Sequence, residues 1–303
     1  MARISPRLKR EAYRISPLLF FLLGANRSIE SARQELYWIQ EELPRNKWWE
    51  ACLRRNRLEP LQYILGTQPF GDLDILCQKD VLIPRHETEE WTLKLCKALR
   101  NLGSGKIKIM DACSGTGCIS LLLYYELRVL SDRNIDITGF DISKRANALS
   151  KSNLRNLEKK YGILNSAVRF FQGNLFHREW IRERLPKERY DLIVSNPPYV
   201  PLLEYNAPRG IEKSVKLYES ADALIGTYDF YKALIHFVKE LDTKGFVFEI
   251  GDISQYEYVR DFAANQMPNW KTLLLCDSGK RPRCIIGWLS QSPMEVLQEM
   301  LHN

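Results

Sequence analysis

Apolar positions in the first sixty residues recur at helical spacing. In Ser31-Ala-Arg-Gln-Glu-Leu-Tyr-Trp-Ile-Gln-Glu-Glu-Leu43, residues Leu36, Ile39 and Leu43 fall on one face. Pro44 stops that helix. A second helix is expected from about Lys47 to Arg57, with Pro60 following. Between 61 and 90 the pattern is mixed. Asp72-Leu-Asp-Ile-Leu76 alternates like a strand, and Val81-Leu-Ile-Pro84 is a short apolar run closed by proline. A helix carrying Trp91 and Leu95 begins near Glu87. This pattern predicts a helical unit over 1–60, a linker with a β-hairpin over 61–90, and a larger unit over 91–303.

From residue 106 short β-rich runs alternate with helical stretches. The candidate strands are Lys106–Ala112, Asp136–Phe140, Val168–Gln172, Tyr190–Ser195, Gly245–Ile250, Lys271–Leu275 and Cys284–Leu289. Such alternation predicts an α/β fold, a mostly parallel seven-stranded sheet with helices on both faces. The last two strands are joined only by Cys276-Asp-Ser-Gly-Lys-Arg-Pro-Arg283, too short for a helical crossover, so they should pair antiparallel.

Composition adds limits. At 303 residues, 45% hydrophobic and 27% charged, the chain can bury a core without staples. Its seven cysteines include no Cys-x-x-Cys pair and its four histidines are scattered, which argues against a zinc site or a disulfide framework. The most apolar stretch, Ile15 to Ala25, is about half the length of a bilayer span. The net charge of +7 is concentrated at the start, where residues 1–60 hold 12 Lys/Arg against 7 Asp/Glu. That bias suits an anionic partner or simply a solvated helical face. Arg3, Arg7, Lys9, Arg10 and Arg14 precede an apolar run with one acid, Glu11, among them. This start reads as a mitochondrial presequence, or else as the first helix of the fold.

The candidate chemistry lies at strand ends. Asp111-Ala-Cys-Ser-Gly-Thr-Gly117 follows the first strand of the sheet and precedes the helix Cys118–Leu127. Gly115 and Gly117 allow close approach of a ligand, and ligands of open α/β sheets bind beyond the carboxyl strand ends. The pattern is D-x-x-x-G-x-G, not the G-x-G-x-x-G of dinucleotide sites. It suits S-adenosylmethionine, which has no pyrophosphate, and the acid favours the cationic half of that ligand. Asp141 ends the next strand, 24 residues after Gly117, where it can accept from both ribose hydroxyls or cap the following helix. Asn174 follows the third strand and can read an adenine edge above Leu175 or Phe176; as an alternative it caps its own loop. Ser195-Asn-Pro-Pro-Tyr199 ends the fourth. Its prolines stiffen the backbone and remove two N–H groups. The Asn196 side-chain oxygen and the Pro197 carbonyl then stand as paired acceptors for a planar NH2, with Tyr199 as an aromatic wall.

Asn-Pro-Pro-Tyr resembles the tetrapeptide of aminomethyltransferases acting on exocyclic or amide nitrogens. Glu59-Pro-Leu-Gln-Tyr-Ile-Leu-Gly66, Val81-Leu-Ile-Pro-Arg-His-Glu-Thr-Glu89, Leu217-Tyr-Glu-Ser-Ala-Asp-Ala-Leu224, Phe248-Glu-Ile-Gly251 and Asp277-Ser-Gly-Lys-Arg-Pro-Arg283 narrow the branch. They are similar to segments of the HemK/PrmC family of protein-(glutamine-N5) methyltransferases, over roughly residues 55–290, and most like a fungal mitochondrial member.

The resemblance implies a helical N-terminal substrate-recognition domain on a Rossmann-like catalytic domain. It implies S-adenosylmethionine as methyl donor and the Gly-Gly-Gln glutamine of a class I release factor as acceptor, in support of translation termination. Asp111, Cys113, Ser114, Gly115, Thr116, Gly117, Asp141, Asn174, Leu175 and Asn196 would contact the cofactor. Asn196, Pro197, Pro198 and Tyr199 would grip the glutamine, with Asn196, Pro197 and Tyr199 carrying catalysis and no metal taking part. The expectation is a monomer in the mitochondrial matrix, otherwise the cytoplasm, with no membrane and no direct nucleic acid required. Departures from the family pattern are Cys113 for a glycine, His86 for a proline, Leu175 for a bulky aromatic and Ser220 for a proline. An adenine-N6 nucleic-acid methyltransferase using the same tetrapeptide and a non-catalytic scaffold are the alternatives.

Overall fold

The computed structural model describes residues 4–163, 167–177, 189–208 and 210–301. Helices open the chain: α1 (Pro6–Ile15), α2 (Pro17–Asn26), α3 (Ile29–Glu42) and α4 (Trp48–Asn56). Serines start the first three. Ser5, Ser16 and Ser28 each accept a first-turn backbone N–H on the side-chain oxygen. Pro6 and Pro17 occupy first-turn positions where no N–H is missed. The four helices close, with Leu61 and Ile64 that follow them, on a core that includes Leu19, Leu22, Leu23, Ile39 and Cys52. Of the predicted stripe on α3, Leu36 and Ile39 are buried and Leu43 packs at the rim. The basic start folds as α1, with Ala12 buried and Leu8 packed on the same cluster, while Arg3 lies outside the described residues. No described helix is long and apolar enough to cross a membrane.

A short helix, α5 (Leu61–Leu65), leads into the hairpin β1 (Thr67–Phe70) and β2 (Leu73–Leu76). Phe70, Leu73 and Ile75 enter the main core. Asn153 ties the hairpin to the rest of the fold: its Oδ1 accepts Leu76 N–H at 2.7 Å and its Nδ2 donates to Leu76 O at 3.3 Å. The same Nδ2 donates to Thr116 O at 3.0 Å.

The main unit runs α6 (His86–Arg100), β3 (Ile107–Ala112), α7 (Cys118–Tyr124), β4 (Ile135–Asp141), α8 (Lys144–Tyr161), β5 (Val168–Gln172), β6 (Leu192–Ser195), α9 (Leu202–Asn206), α10 (Lys213–Tyr218), α11 (Tyr228–Glu240), β7 (Gly245–Glu249), α12 (Ile253–Gln266), β8 (Trp270–Cys276) and β9 (Pro282–Leu289). The sheet order is β5-β4-β3-β6-β7-β9-β8. The first five strands pair parallel, and β9 is antiparallel to both β7 and β8. This is the expected seven-stranded sheet with its antiparallel C-terminal pair.

Alternate residues face opposite layers. Ile109, Leu192 and Val194 pack with Trp91, Leu95 and Leu122 on one face. Met110, Ile193 and Phe246 pack with Leu234, Phe237 and Val259 on the other. Several bounds shift by a few residues from expectation, and two of these fall on elements that flank the site. The helix predicted over Cys118–Leu127 is α-helical only to Tyr124 and continues in wider π turns over Tyr125–Val129. The fourth strand begins at Leu192, after Tyr190 and Asp191. The chain winds outward from β3 through β4 to β5 and returns to β6. The crevice of the sheet therefore opens beyond the carboxyl ends of β3 and β6, where the winding reverses.

Candidate active site

The turn after β3 turns back on itself through three left-handed residues: Cys113 (φ 61), Gly115 (φ 54) and Gly117 (φ 81). Ser114 N–H donates to Phe140 O at 2.9 Å, and Gly117 N–H to Ser114 O at 2.7 Å. At Gly117 a Cβ would stand 2.8 Å from Phe170 Cζ, so the turn and strand β5 need a glycine there. At Gly115 a Cβ would meet nothing within 4 Å, so this corner presents bare backbone to open space. Ser114 and Thr116 are buried beneath it.

Asp111 lies fully buried below the turn. Ser120 Oγ donates to its Oδ2 at 2.6 Å. Its Oδ1 has no hydrogen-bond partner among the described residues. Burial pushes this carboxyl up to about 7, against the Ser120 hydrogen bonds and with help from the Asp141 charge. An orphaned buried carboxylate oxygen next to a glycine-rich turn in sequence fits a cationic ligand group. Burial likewise holds Cys113 as the neutral thiol.

Asp141 is half-buried at the end of β4. Its Oδ2 accepts Gly115 N–H at 2.9 Å and its Oδ1 accepts Ser143 N–H at 2.8 Å. Ser143, not Asp141, caps α8, through Ala146 N–H. Asn174 makes a local turn, its Oδ1 accepting Phe176 N–H at 2.9 Å. Leu175 is buried in the second core layer, whereas Phe176 is exposed and meets Phe230 edge-on at 4.9 Å.

The tetrapeptide sits beside the glycine turn because β6 pairs with β3, Ser195 opposite Ala112. Ser195 Oγ donates to Ala112 O at 2.8 Å and fastens the two strand ends together. Asn196 Nδ2 donates to Thr88 Oγ1 at 3.2 Å. Pro197 and Pro198 are buried and Tyr199 is half-buried. The Tyr199 hydroxyl donates to Glu249 Oε1 at 3.1 Å, and Gln255 Nε2 donates to Tyr199 O at 2.8 Å. Glu249, at the end of β7, is 1% exposed. Its Oε2 accepts Thr88 Oγ1–H and Trp91 Nε1–H, each at 2.7 Å. Burial raises its carboxyl above the usual range, opposed by those donors. Gly251 leaves room for the tyrosine ring, since a Cβ there would lie 2.9 Å from Tyr199 Cδ2.

The chain beyond the tetrapeptide is strapped to the N-terminal side. Val200 bridges to Ile225, and Gly226 lies so close to the Pro198 carbonyl that any Cβ would overlap it. Glu219, side chain 1% exposed, accepts Arg85 at 2.7 Å and Ile83 N–H at 3.3 Å. Asp80 N–H donates to Tyr218 O at 3.0 Å. Periodicity carried no sign of Thr88, Glu249, Gln255 or the Arg85–Glu219 pair. Four of these five lie in segments that family similarity singled out, 81–89, 217–224 and 248–251; Gln255 lies outside all of them.

A glycine turn, an acid after the next strand and a proline-bound tetrapeptide at neighbouring carboxyl strand ends define a Rossmann-like methyltransferase. Residues 90–208 match the methyltransferase small domain. Solved structures agree on the fold: the hMettl16 catalytic domain in complex with MAT2A 3'UTR hairpin 1 matches 95% of this chain and 94% of its own, with TM-score 0.54 and 15% identity. The mitochondrial MRF1 N(5)-glutamine methyltransferase MTQ1 of Saccharomyces cerevisiae is 36% identical across 99% of this chain and 93% of that protein. The probable mitochondrial MRF1 N(5)-glutamine methyltransferase of Schizosaccharomyces pombe is 33% identical over 93% and 96%. A release factor glutamine methyltransferase of Geobacter sulfurreducens is 34% identical over 75% and 80%. The chain belongs to the release factor glutamine methyltransferase family.

Proposed function

We propose that this enzyme methylates the side-chain N5 of the Gly-Gly-Gln glutamine of a class I release factor in the mitochondrial matrix, and so supports translation termination. It acts as a monomer on a protein substrate and needs no nucleic acid. Residues 1–60 serve as the recognition unit, 61–90 as the linker and 91–303 as the catalytic unit. The observation that carries this reading is the Ser195–Ala112 clamp, at 2.8 Å, which sets Asn196 beside the glycine turn.

S-adenosylmethionine supplies the electrophilic methyl group. Its cationic half suits the unpaired Asp111 oxygen, its ribose the Asp141 carboxylate, and its adenine the Asn174–Leu175 segment. Cys113, Ser114, Gly115, Thr116 and Gly117 form the wall beneath it. Asn196 Oδ1 and the Pro197 carbonyl accept the two N–H bonds of the glutamine amide, and Pro198 and Tyr199 enclose its plane. An amide lone pair is shared with its own carbonyl and is weakly nucleophilic. Two acceptors orient the nitrogen, favour its pyramidal form and stabilise the positive charge that develops on it. Holding the reactants in line contributes about 7–11 kcal/mol in well-oriented cases. The proton leaves after transfer, so no strong base is needed beforehand.

Mass spectrometry of the Gly-Gly-Gln peptide of a mitochondrial release factor, incubated with methyl donor and this protein, tests the reading. The expected result is a 14 Da gain on glutamine with wild type and none with Asn196→Ala, while DNA and RNA stay unlabelled (one methylene by reaction stoichiometry, roughly). Wild-type turnover by folded Asn196→Ala would overturn the mechanism.

A further inference from the structure

We infer that Thr88 and Glu249 form a positioning relay that decides which end of the Asn196 carboxamide faces the substrate. This rests on the reading above, in which Asn196 Oδ1 is an acceptor. The two ends of a carboxamide are nearly identical in shape, so packing alone cannot choose between them. A polar partner must choose. If the wrong end faced the substrate, an NH2 would meet an NH2 and the amide could not be held.

The relay begins at Trp91. An indole N–H only donates, so the oxygen it meets must accept. That oxygen is Glu249 Oε2, 2.7 Å away. The Thr88 hydroxyl reaches the same oxygen, also at 2.7 Å, and gives it its single proton. Only lone pairs of Thr88 Oγ1 are then left to face Asn196, and only the NH2 end of the amide can meet them, at 3.2 Å. Oδ1 is thereby turned away from Thr88. Thr88 and Trp91, one helical turn apart, project from the same face of α6 toward the end of β7. Thr88 is 2% exposed, so its hydroxyl is shielded from bulk solvent.

Glu249 also serves the other end of the tetrapeptide. Its Oε1 accepts the Tyr199 hydroxyl at 3.1 Å. One carboxylate thus sets the amide of Asn196 through Thr88 and the ring of Tyr199 directly. Segments 161 residues apart in sequence meet here for that purpose. Thr88 and Glu249 are positioning residues: they act through Asn196 and Tyr199.

A series at Thr88, measured as the single-turnover methyl-transfer rate, tests the relay. Thr88→Val keeps the shape, removes the hydroxyl and lets the amide turn over. The rate is expected to fall about 10- to 100-fold with cofactor Kd near wild type and a lowered melting temperature, since Glu249 loses a donor. Thr88→Ser should recover the rate to within about threefold, with Thr88→Cys, a weak donor, in between. A flat series among folded variants overturns the relay, as does loss of stability and rate together without recovery in Thr88→Ser. If Thr88→Val does not fold, the Ser and Cys variants decide by the same ordering. Asn196→Ala runs beside them. Should it retain activity, the reading of Asn196 as acceptor is lost; should it be inactive while Thr88→Val turns over at the wild-type rate, only the relay is lost.

Discussion

Gly115 and Asp141, 26 residues apart in sequence, are joined by a hydrogen bond of 2.9 Å from the Gly115 N–H to Asp141 Oδ2. The carboxylate also holds Ser143 N–H. A single acid thus fixes the loops that follow β3 and β4 to each other.

Asp141→Ala is expected to release both loops and remove the acceptor for the ribose. Cofactor affinity, read by calorimetry, should fall by about 2–3 kcal/mol, roughly 30- to 150-fold. Asp141→Asn, which keeps one acceptor, should lose less. Unchanged affinity in the alanine variant would remove Asp141 from the binding site.

Asp111 makes stability depend on pH. Its carboxyl titrates at about 7 in the fold, against 3.8 for the ordinary group. The folded state therefore holds this proton more tightly than the unfolded chain. Its contribution is fully favourable below about pH 4, declines as pH rises toward about 7 and is gone above that, up to ~4 kcal/mol in all. Asp111→Asn should lack this decline and melt higher than wild type near pH 8. Parallel melting profiles for the two proteins would show that Asp111 does not titrate there.

Cys113 stands at φ 61, where an L-residue pays about 1–2 kcal/mol and glycine pays nothing for the conformation. Cys113→Gly gives up thiol burial and adds chain entropy, so urea unfolding should place it within about 1 kcal/mol of wild type. Cys113→Val, β-branched, should lose about 2 kcal/mol or more. Equal stability of the two variants would mean that the turn relaxes out of the left-handed region.

Glu219 is the buried end of an ion pair whose other end, Arg85, reaches solvent. Glu219→Ala leaves Ile83 N–H without its acceptor as well. Stability should fall by about 2–3 kcal/mol, and limited proteolysis should cut first within residues 201–226. Cutting unchanged from wild type would show that the strap is held by other contacts.

The sheet could be read from the chain because its central strands are short apolar runs buried on both faces, as β6 and β7 are throughout. The antiparallel pair β8–β9 followed from connection length alone. Local polar chemistry was harder to read. Asp141 and Ser143 are both good caps two residues apart, and only the backbone path shows that Ser143 takes that role. From sequence Asn174 fits either an adenine contact or a loop cap; in the fold its Oδ1 caps the loop. Leu175 and Phe176 were interchangeable as an apolar floor, but the chain buries the first and exposes the second. Thr88 and Glu249 could not be paired from sequence at all, because nothing local in either segment depends on the other.

Asn153 has a mechanical consequence. Its carboxamide is shared between Leu76 of the hairpin and Thr116 of the glycine turn. Lifting the hairpin off the catalytic half would break both bonds between Leu76 and Asn153 and free the carboxamide that also holds Thr116. The hairpin is accordingly built less like a loose hinge than like a bracket, bolted through one side chain to the glycine turn.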